Sequence, residues 1–519
     1  MRTRSGRFTD RLIGLTLGAF TVIYVAPYLS PRLEVFEDAA MLFRYSRHLA
    51  AGHGIVWNVG EPPLDGATDL LFMLLIAACH RLGANIEAAA RGIGLAAHVA
   101  TVWLIYATVR RRHGRQWMAI ASAAYVAIGP AKAYIAGGFG TTLFAAVAAL
   151  AWSQALDLTD TPSRRAGAWF GLSVVLLGIA RPEGVLLGGL MALGVTAYRW
   201  RDGFSGAVTT FLGASLLAGL TFFSWRWWYF GAPLPNPYYK KGAFHLYWDN
   251  LLIATKYTTL LLGPMLLVLL VASRKRRLNR RLVLAAIPIA GFAGLWILLS
   301  NEMNFFRRFQ YAVVPLAAMA WPECVDPEWF MVFGAWWRRT GAGLRRAAMV
   351  MVAAAATLVV LYQHTAYRPA RWQDDHHDLG RLLYSLRDRG YVIATSEAGL
   401  LPFDSDWRAI DTWGLNDRWI ATHHGVDADY LDLYQPHLII FHAYYAPGKK
   451  PASLGEWDRM DLTLQRYAEE RHYQLIGAFG QPESVMYYYL RPDFQGVDDV
   501  RAVLIDWVGR HRLRTLGGG

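Results

Sequence analysis

Two adjacent carboxylates, Glu37 and Asp38, follow the first apolar segment of the chain. Five cations, Arg181, Lys240, Lys241, Arg307 and Arg308, stand in later breaks between apolar segments. Charges at the ends of membrane helices are costly to keep and demand a compensating role. A carboxylate there can take the proton from an incoming hydroxyl. Guanidinium and ammonium groups can hold a phosphate and stabilise the negative charge it gains as it leaves. The set suits transfer of a sugar from a lipid phosphate whose tail lies between helices. Each group also has a plainer reading. The acids can be solvated loop charges, and Arg181 with Glu183 can be an ion pair closing a helical hairpin. Lys240 and Lys241 can meet lipid headgroups, and the Trp and Tyr residues of 225–239 can form an interfacial belt.

Composition narrows the setting. Apolar residues make up 54% of the chain and charged ones 18%, the profile of a polytopic membrane protein. The net charge of +13 is gathered in short runs between apolar segments, which marks topology and not a nucleic-acid partner. Cys79 and Cys324 give neither a disulfide framework nor metal-ligand spacing and read as buried thiols. There is no Walker-type loop and no dinucleotide fingerprint, so the energy for a transfer has to arrive in the substrate.

The elements that position these residues follow from apolar length. Arg2, Arg4, Arg7 and Arg11 precede the first span, read as a retained anchor with a cytoplasmic N-terminus. Further spans are expected near 88–109, 117–135, 139–157, 167–180, 184–198, 207–230, 251–272, 282–300, 309–322 and 347–363. With the first at 12–29 that makes about eleven crossings. Thr68 to Leu82 is short for a span and reads as a re-entrant or juxtamembrane helix of the first loop, 30–87. Glu37 and Asp38 open an amphipathic run (Met41, Leu42, Tyr45 and Leu49 against Arg44, Arg47 and His48) expected to lie in the interface plane. With these spans the runs at Arg110–Arg112, Arg164–Arg165, Arg199–Arg201, Arg274–Arg277, Arg280–Arg281 and Arg338–Arg346 all fall inside. The motifs at 137–141, 181–184, 225–241 and 301–308 fall outside, with Asp38. Residues 368–519 change character, with strands expected at 391–395, 437–441, 474–477 and 484–490 and helices at 376–389 and 456–472. They read as an outer α/β domain following a membrane domain, 1–367.

On these motifs the chain resembles the GT-C superfamily of polyprenyl-phosphate-dependent glycosyltransferases, and within it the AftB-like cell-wall arabinofuranosyltransferases. Their first loop reads Asp-Asp-Ala, then Phe-Arg-Tyr, Gly-His-Gly and Glu-Gly-x-Thr-Asn. Here it reads Glu37-Asp38-Ala39, Phe43-Arg44-Tyr45, Gly52-His53-Gly54 and Asp65-Gly66-Ala67-Thr68-Asp69. The family's Arg-Pro-Glu-Gly is at 181–184, its Leu-Pro-Asn-x-Tyr with a following Lys at 234–241, and its Gly-Leu-Asn-Asp at 414–417. Three departures matter most: Glu37 for the first Asp, Asp69 for Asn, and Gly138-Phe139-Gly140-Thr141 where a carboxylate is usual.

The resemblance implies a GT-C fold, an inverting transfer with Asp38 as general base, and a C-terminal domain that caps the site. Glu37, in place of the family's first Asp, is expected beside it in the catalytic pair, to position the acceptor or contact a metal, which makes a divalent cation the candidate cofactor. Arg181, Lys240, Lys241, Arg307 and Arg308 become expected contacts of the donor phosphate. Arg44, His53, Asp65, Asp69, Glu183, Asn236, Tyr239, Asp411, Asn416 and Asp417 become expected substrate contacts. The expected donor is a polyprenyl-phosphate-linked pentose such as arabinofuranose, and the acceptor a glycan, a lipid-linked sugar or a protein on the outer face of a bacterial inner membrane. A lipid or glycan transporter or flippase and a non-catalytic GT-C-like partner subunit are the alternatives.

Overall fold

The structure is a computed structural model that describes residues 4–199, 206–241, 246–273, 280–324, 337, 339–366, 376–443, 455–481 and 484–511. The membrane half begins with α1 (Arg4–Val25), α2 (Glu37–Ala50), α3 (Leu70–Arg81) and α4 (Ile86–His113). It continues with α5 (Gln116–Ala127), α6 (Ala131–Ala136), α7 (Thr141–Asp160), α8 (Arg164–Ala180), α9 (Glu183–Arg199) and α10 (Gly206–Phe230). Next come α11 (Asn236–Lys241), α12 (Trp248–Ser273), α13 (Arg280–Gly294), α14 (Val314–Ala320) and α15 (Ala342–Ala366). Among the described residues five helical stretches are long and apolar enough to cross a membrane: Phe8–Leu29, Ile86–His113, Thr141–Asp160, Gly206–Phe230 and Arg280–Ile297. The expected span at 117–135 is two helices, because Pro130 follows α5 and α6 restarts after it.

Ion pairs join the helices at one end of the bundle. Arg110 on α4 lies 2.7 Å from Asp10 on α1, Arg111 lies 2.6 Å from Asp157 on α7, and Arg281 on α13 lies 3.1 Å from Asp160. The first turn of α2 and the loops at 137–140, 181–183, 236–241 and 301–308 gather at the opposite end, around one cavity. Arg201, the run Arg274–Arg277 and Arg338 lie outside the described residues.

The short apolar segment is α3, about 18 Å long at 1.5 Å per residue, too short to cross. Its His80 borders the same surface groove as Arg381, Asp404 and Asp406 of the C-terminal part, so both ends of α3 stay on the cavity side. Helix α2 packs between the membrane half and the C-terminal part. Its polar side is covered by the C-terminal part: Arg44 donates to the Trp407 carbonyl at 2.8 Å and Arg47 to the Phe403 carbonyl at 2.6 Å. The amphipathic pattern thus marks a helix packed on two sides, because main-chain carbonyls replace water on its basic face. Cys79 is half-buried and not fully enclosed, while the Cys324 side chain lies outside the described set.

The C-terminal part holds α16 (His376–Leu383), α17 (Leu400–Ser405), α18 (Arg418–Thr422), α19 (Ala428–Tyr434), α20 (Glu456–Glu470) and α21 (Val497–His511) around a five-stranded sheet. Its strands are β1 (Val392–Thr395), β2 (Arg408–Asp411), β3 (Leu438–Ala443), β4 (Gln474–Gln481) and β5 (Ser484–Leu490), in the order β2-β1-β3-β5-β4. The first three strands in that order run parallel and the last two pair antiparallel. Four strands stand where the sequence predicts them; β2, a four-residue edge strand, is an addition. Apolar residues cover both sheet faces, and Ala398, Leu400, Phe403 and Ala409 join the core of the membrane half. The expected boundary at 367/368 falls outside the described residues.

Candidate active site

Asp38 stands in the first turn of α2, where the unpaired amides of a helix start favour a carboxylate. Phe36, just before it, donates its amide to the Gly137 carbonyl at 3.1 Å and packs its ring on Phe139 and Phe305. This fixes the helix start over the 137–140 loop. Asp38 faces a cavity of about 250 Å³ whose walls come from α2, α3, α11, the 137–140, 181–183 and 296–309 segments, and Leu415 of the C-terminal part.

The charges in this cavity form two linked groups. Arg308 is hydrogen-bonded to Asp38 and lies over the Phe139 ring at 4.0 Å. Its Nε is buried with no hydrogen-bond partner among the described residues. Arg181 lies 2.6 Å from Asp69 and 2.6 Å from Glu183. The ion-pair reading of Arg181 and Glu183 is therefore correct in geometry, and Asp69 completes it from the first loop. Burial pushes the Asp69 carboxyl above the usual range, against the pull of Arg181. Lys241 lies 3.1 Å from Glu302 at the more open side. Phe72, Phe139, Trp296 and Phe309 supply the apolar walls.

The loop carrying Arg308 is held in an uncommon shape. Met303, Phe306 and Arg307 have positive φ values of 56°, 53° and 65°. Such conformations cost free energy and persist where surroundings enforce them. Here Asn304 accepts the Phe309 amide at 3.0 Å, and Tyr134 donates to the Phe306 carbonyl at 2.8 Å.

Several expected site residues have other positions. Glu37 does not line the cavity: its carboxylate accepts the Gly399 amide, and the Leu400 amide at 3.0 Å. Arg307 turns away, over the Tyr257 ring at 5.7 Å. Lys240 lies 3.0 Å from Glu456 and over Trp413 at 4.1 Å, and Tyr238 lines the cavity in place of Tyr239. Arg44 is buried and bonded to Asn58 and to the carbonyls of Trp57, Pro402 and Trp407. His53 is exposed in a turn whose glycines, Gly52 and Gly54, take φ values of 89° and 86°. That turn explains the glycines of the motif without any substrate contact.

Asp65 pairs with Arg226, and burial pushes its carboxyl up against that pairing. Asn236 donates to the carbonyls of Gly414 and Leu415 at 2.9 Å and of Asp417 at 3.2 Å, tying α11 to the C-terminal part. Asp411 accepts the amides of Trp413, Gly414 and Asn416, and burial pushes it up to about 6. Asn416 accepts from the Tyr45 hydroxyl at 3.1 Å, and Asp417 caps α18 and accepts from Tyr430. Asn416 makes the domain contact, Asp411 and Asp417 brace the segment that carries it, and none of the three lines the cavity. Tyr238, Trp296, Glu302 and Phe309 line it without having been singled out, although Tyr238 and Phe309 adjoin Tyr239 and Arg308, and Glu302 stands in the 301–308 motif.

The residues present do not fit a metal cage. Among the described residues no three His, Cys, Asp or Glu side chains converge as ligands. Asp38, Asp69 and Glu183 each lie against an arginine, and Glu37 is taken up by main-chain amides.

Comparison with known proteins bears on the fold. Residues 356–497 match a family described as a domain of unknown function, DUF8728. No curated protein matches the chain. The structure is similar to that of ArnT from Cupriavidus metallidurans bound to undecaprenyl phosphate, with 15% identity and a TM-score of 0.56. It is also similar to ArnT from the same organism in the apo state, with 13% identity and a TM-score of 0.57. Both alignments cover 91% of this chain and 97% of the other. The chain therefore shares its fold with these ArnT structures. The narrower likeness to the AftB-like branch gains no support from these comparisons.

Proposed function

We propose that this chain is a membrane glycosyltransferase moving one sugar from a polyprenyl-phosphate donor to an acceptor hydroxyl, with Asp38 as general base. One observation carries the reading: the Asp38 carboxylate and the guanidinium groups of Arg308 and Arg181 converge on a single cavity with apolar walls. The shared fold with ArnT, solved with bound undecaprenyl phosphate, adds to it.

The chemistry follows from the positions. The donor phosphate lies against Arg308 and Arg181, whose charge offsets the second negative charge it acquires on leaving. The acceptor hydroxyl gives its proton to Asp38 as its oxygen attacks the anomeric carbon. The carbon–phosphate oxygen bond breaks on the opposite face, so configuration inverts and polyprenyl phosphate departs with the bonding pair. Lys241, beside Glu302 at the open side, is the further proposed contact of the donor phosphate.

A pentose such as arabinofuranose is the proposed sugar, on the first-loop motifs. The proposed setting is the outer face of a bacterial inner membrane. The test uses the full chain in detergent with undecaprenyl-phosphate-linked arabinofuranose and a cell-envelope extract as acceptor. Asp38→Asn is expected to lower turnover about 10³-fold, within the range for loss of a general base. Parent-like turnover by that variant would remove the base assignment.

A further inference from the structure

Glu37 is adjacent to the proposed base, yet its carboxylate points out of the cavity and into the C-terminal part. There it accepts two consecutive amides, those of Gly399 and Leu400, the second at 3.0 Å. The approach is close along the whole residue. A Cβ placed on Gly399 would lie 1.9 Å from the Glu37 carbonyl oxygen, so only glycine lets the two backbones meet. We infer that Glu37 is a positioning residue, which sets the direction of Asp38 by fastening the first turn of α2 to the docked C-terminal domain.

Helix geometry supplies the link. Successive residues on a helix are about 100° apart, so fixing the direction of Glu37 fixes that of Asp38. The first turn needs such a hold: its N-cap, Phe36, offers no side-chain hydrogen bond. Phe36 anchors the turn to the 137–140 loop on the membrane side, and Glu37 anchors it on the other. Rotation of α2 about its axis is thereby opposed from both halves of the protein.

Side-chain length matters. An aspartate at 37 would fall short by one carbon–carbon bond, about 1.5 Å, and would leave the two amides unpaired. The longer acid thus accounts for the departure from Asp-Asp in the first loop. The same docking brings Leu415 into the cavity wall. A chain whose C-terminal domain is not seated would have neither a complete cavity nor a directed base.

The inference rests on Asp38 acting as the base, and the experiment separates the two. The full chain in detergent is compared with Glu37→Asp, Glu37→Gln, Gly399→Ala and Asp38→Asn. Turnover is measured on undecaprenyl-phosphate-linked arabinofuranose, and amide hydrogen exchange over a peptide containing Gly399 and Leu400. Glu37→Asp and Gly399→Ala are expected to lose amide protection and at least 10-fold in kcat, with the donor KM changed less than 2-fold. Glu37→Gln keeps one acceptor oxygen at full reach and is expected to recover most of both. Lost protection with unchanged kcat would make the contact merely structural and overturn the inference. So would protection that survives Glu37→Asp. Parent-like turnover by Asp38→Asn would remove the base reading itself, and the exchange data would still report whether Glu37 holds the domain.

Discussion

Arg308 and Asp38 are 270 positions apart in the chain and share a hydrogen bond at the wall of the cavity. The pair brings a proton acceptor and a phosphate-binding cation into contact before any substrate is present. Arg308 also lies between the Phe139 and Phe309 rings, at 4.0 Å and 4.9 Å. Lysine would keep the charge and lose both the planar fork and the stacking. Arg308→Lys is expected to lower kcat/KM about 100-fold, a loss of about 2.7 kcal/mol in transition-state stabilisation. Arg307→Ala, one residue away but turned towards Tyr257, is expected to stay within about 3-fold, in the range of a peripheral contact. Equal losses in the two variants, measured on the same donor, would refute the separation of their roles.

Arg181 holds two carboxylates, Asp69 from the first loop and Glu183 from the start of α9. All three are largely shielded from water, so removing the cation leaves two uncompensated charges. Arg181→Ala is expected to destabilise the protein by about 3–5 kcal/mol, the range for breaking a buried pair. The double variant Arg181→Ala with Asp69→Asn removes one of the stranded charges and is expected to recover part of that loss. Thermal unfolding in detergent reads both. Additive losses would mean that Asp69 and Arg181 do not act as a pair.

The two ends of the bundle give a topological expectation. His53 is exposed on the cavity side, and Thr161 is exposed beside the cluster of Arg111, Asp157 and Asp160. In intact cells an impermeant maleimide is expected to label His53→Cys and to leave Thr161→Cys untouched until the membrane is opened. The reverse pattern would turn the protein over in the membrane, and labelling of both would break the crossing order.

Much of the site was legible because charge at a membrane helix end is expensive and so stands out. Asp38, Arg181, Glu183, Lys241 and Arg308 were visible on that ground, Asp69 only through the first-loop motif, and all line one cavity. Composition did not reveal which member of an adjacent pair would face inward. Asp38 lines the cavity and Glu37 does not; the same holds for Lys241 against Lys240, Arg308 against Arg307 and Tyr238 against Tyr239. One residue along a helix turns a side chain by about 100°, and the tertiary contact that settles the outcome has no local signal. The polar residues of the domain contact were misread for a related reason. Arg44, Asn236 and Asp411 are bonded to main-chain groups, and a main chain leaves no pattern in sequence. Likewise β2 is too short for periodicity to declare it.

Asp461, on α20, is wholly buried and neither of its carboxylate oxygens has a hydrogen-bond partner among the described residues. Burial, with Asp458 and Glu397 nearby, pushes its carboxyl up to about 9. The folded protein therefore keeps a proton that the unfolded chain gives up near pH 4. Stability from this group is fully present below that value and is lost as pH rises towards 9. The slope between them is about 1.4 kcal/mol per pH unit for one proton. Asp461→Asn has the same shape and no charge to lose. It is expected to remove most of the decline in unfolding midpoint between pH 5 and pH 8.5. It is also expected to exceed the parent in stability at the upper end. A decline of equal slope in parent and variant would show that Asp461 is ionised and paired in the folded protein.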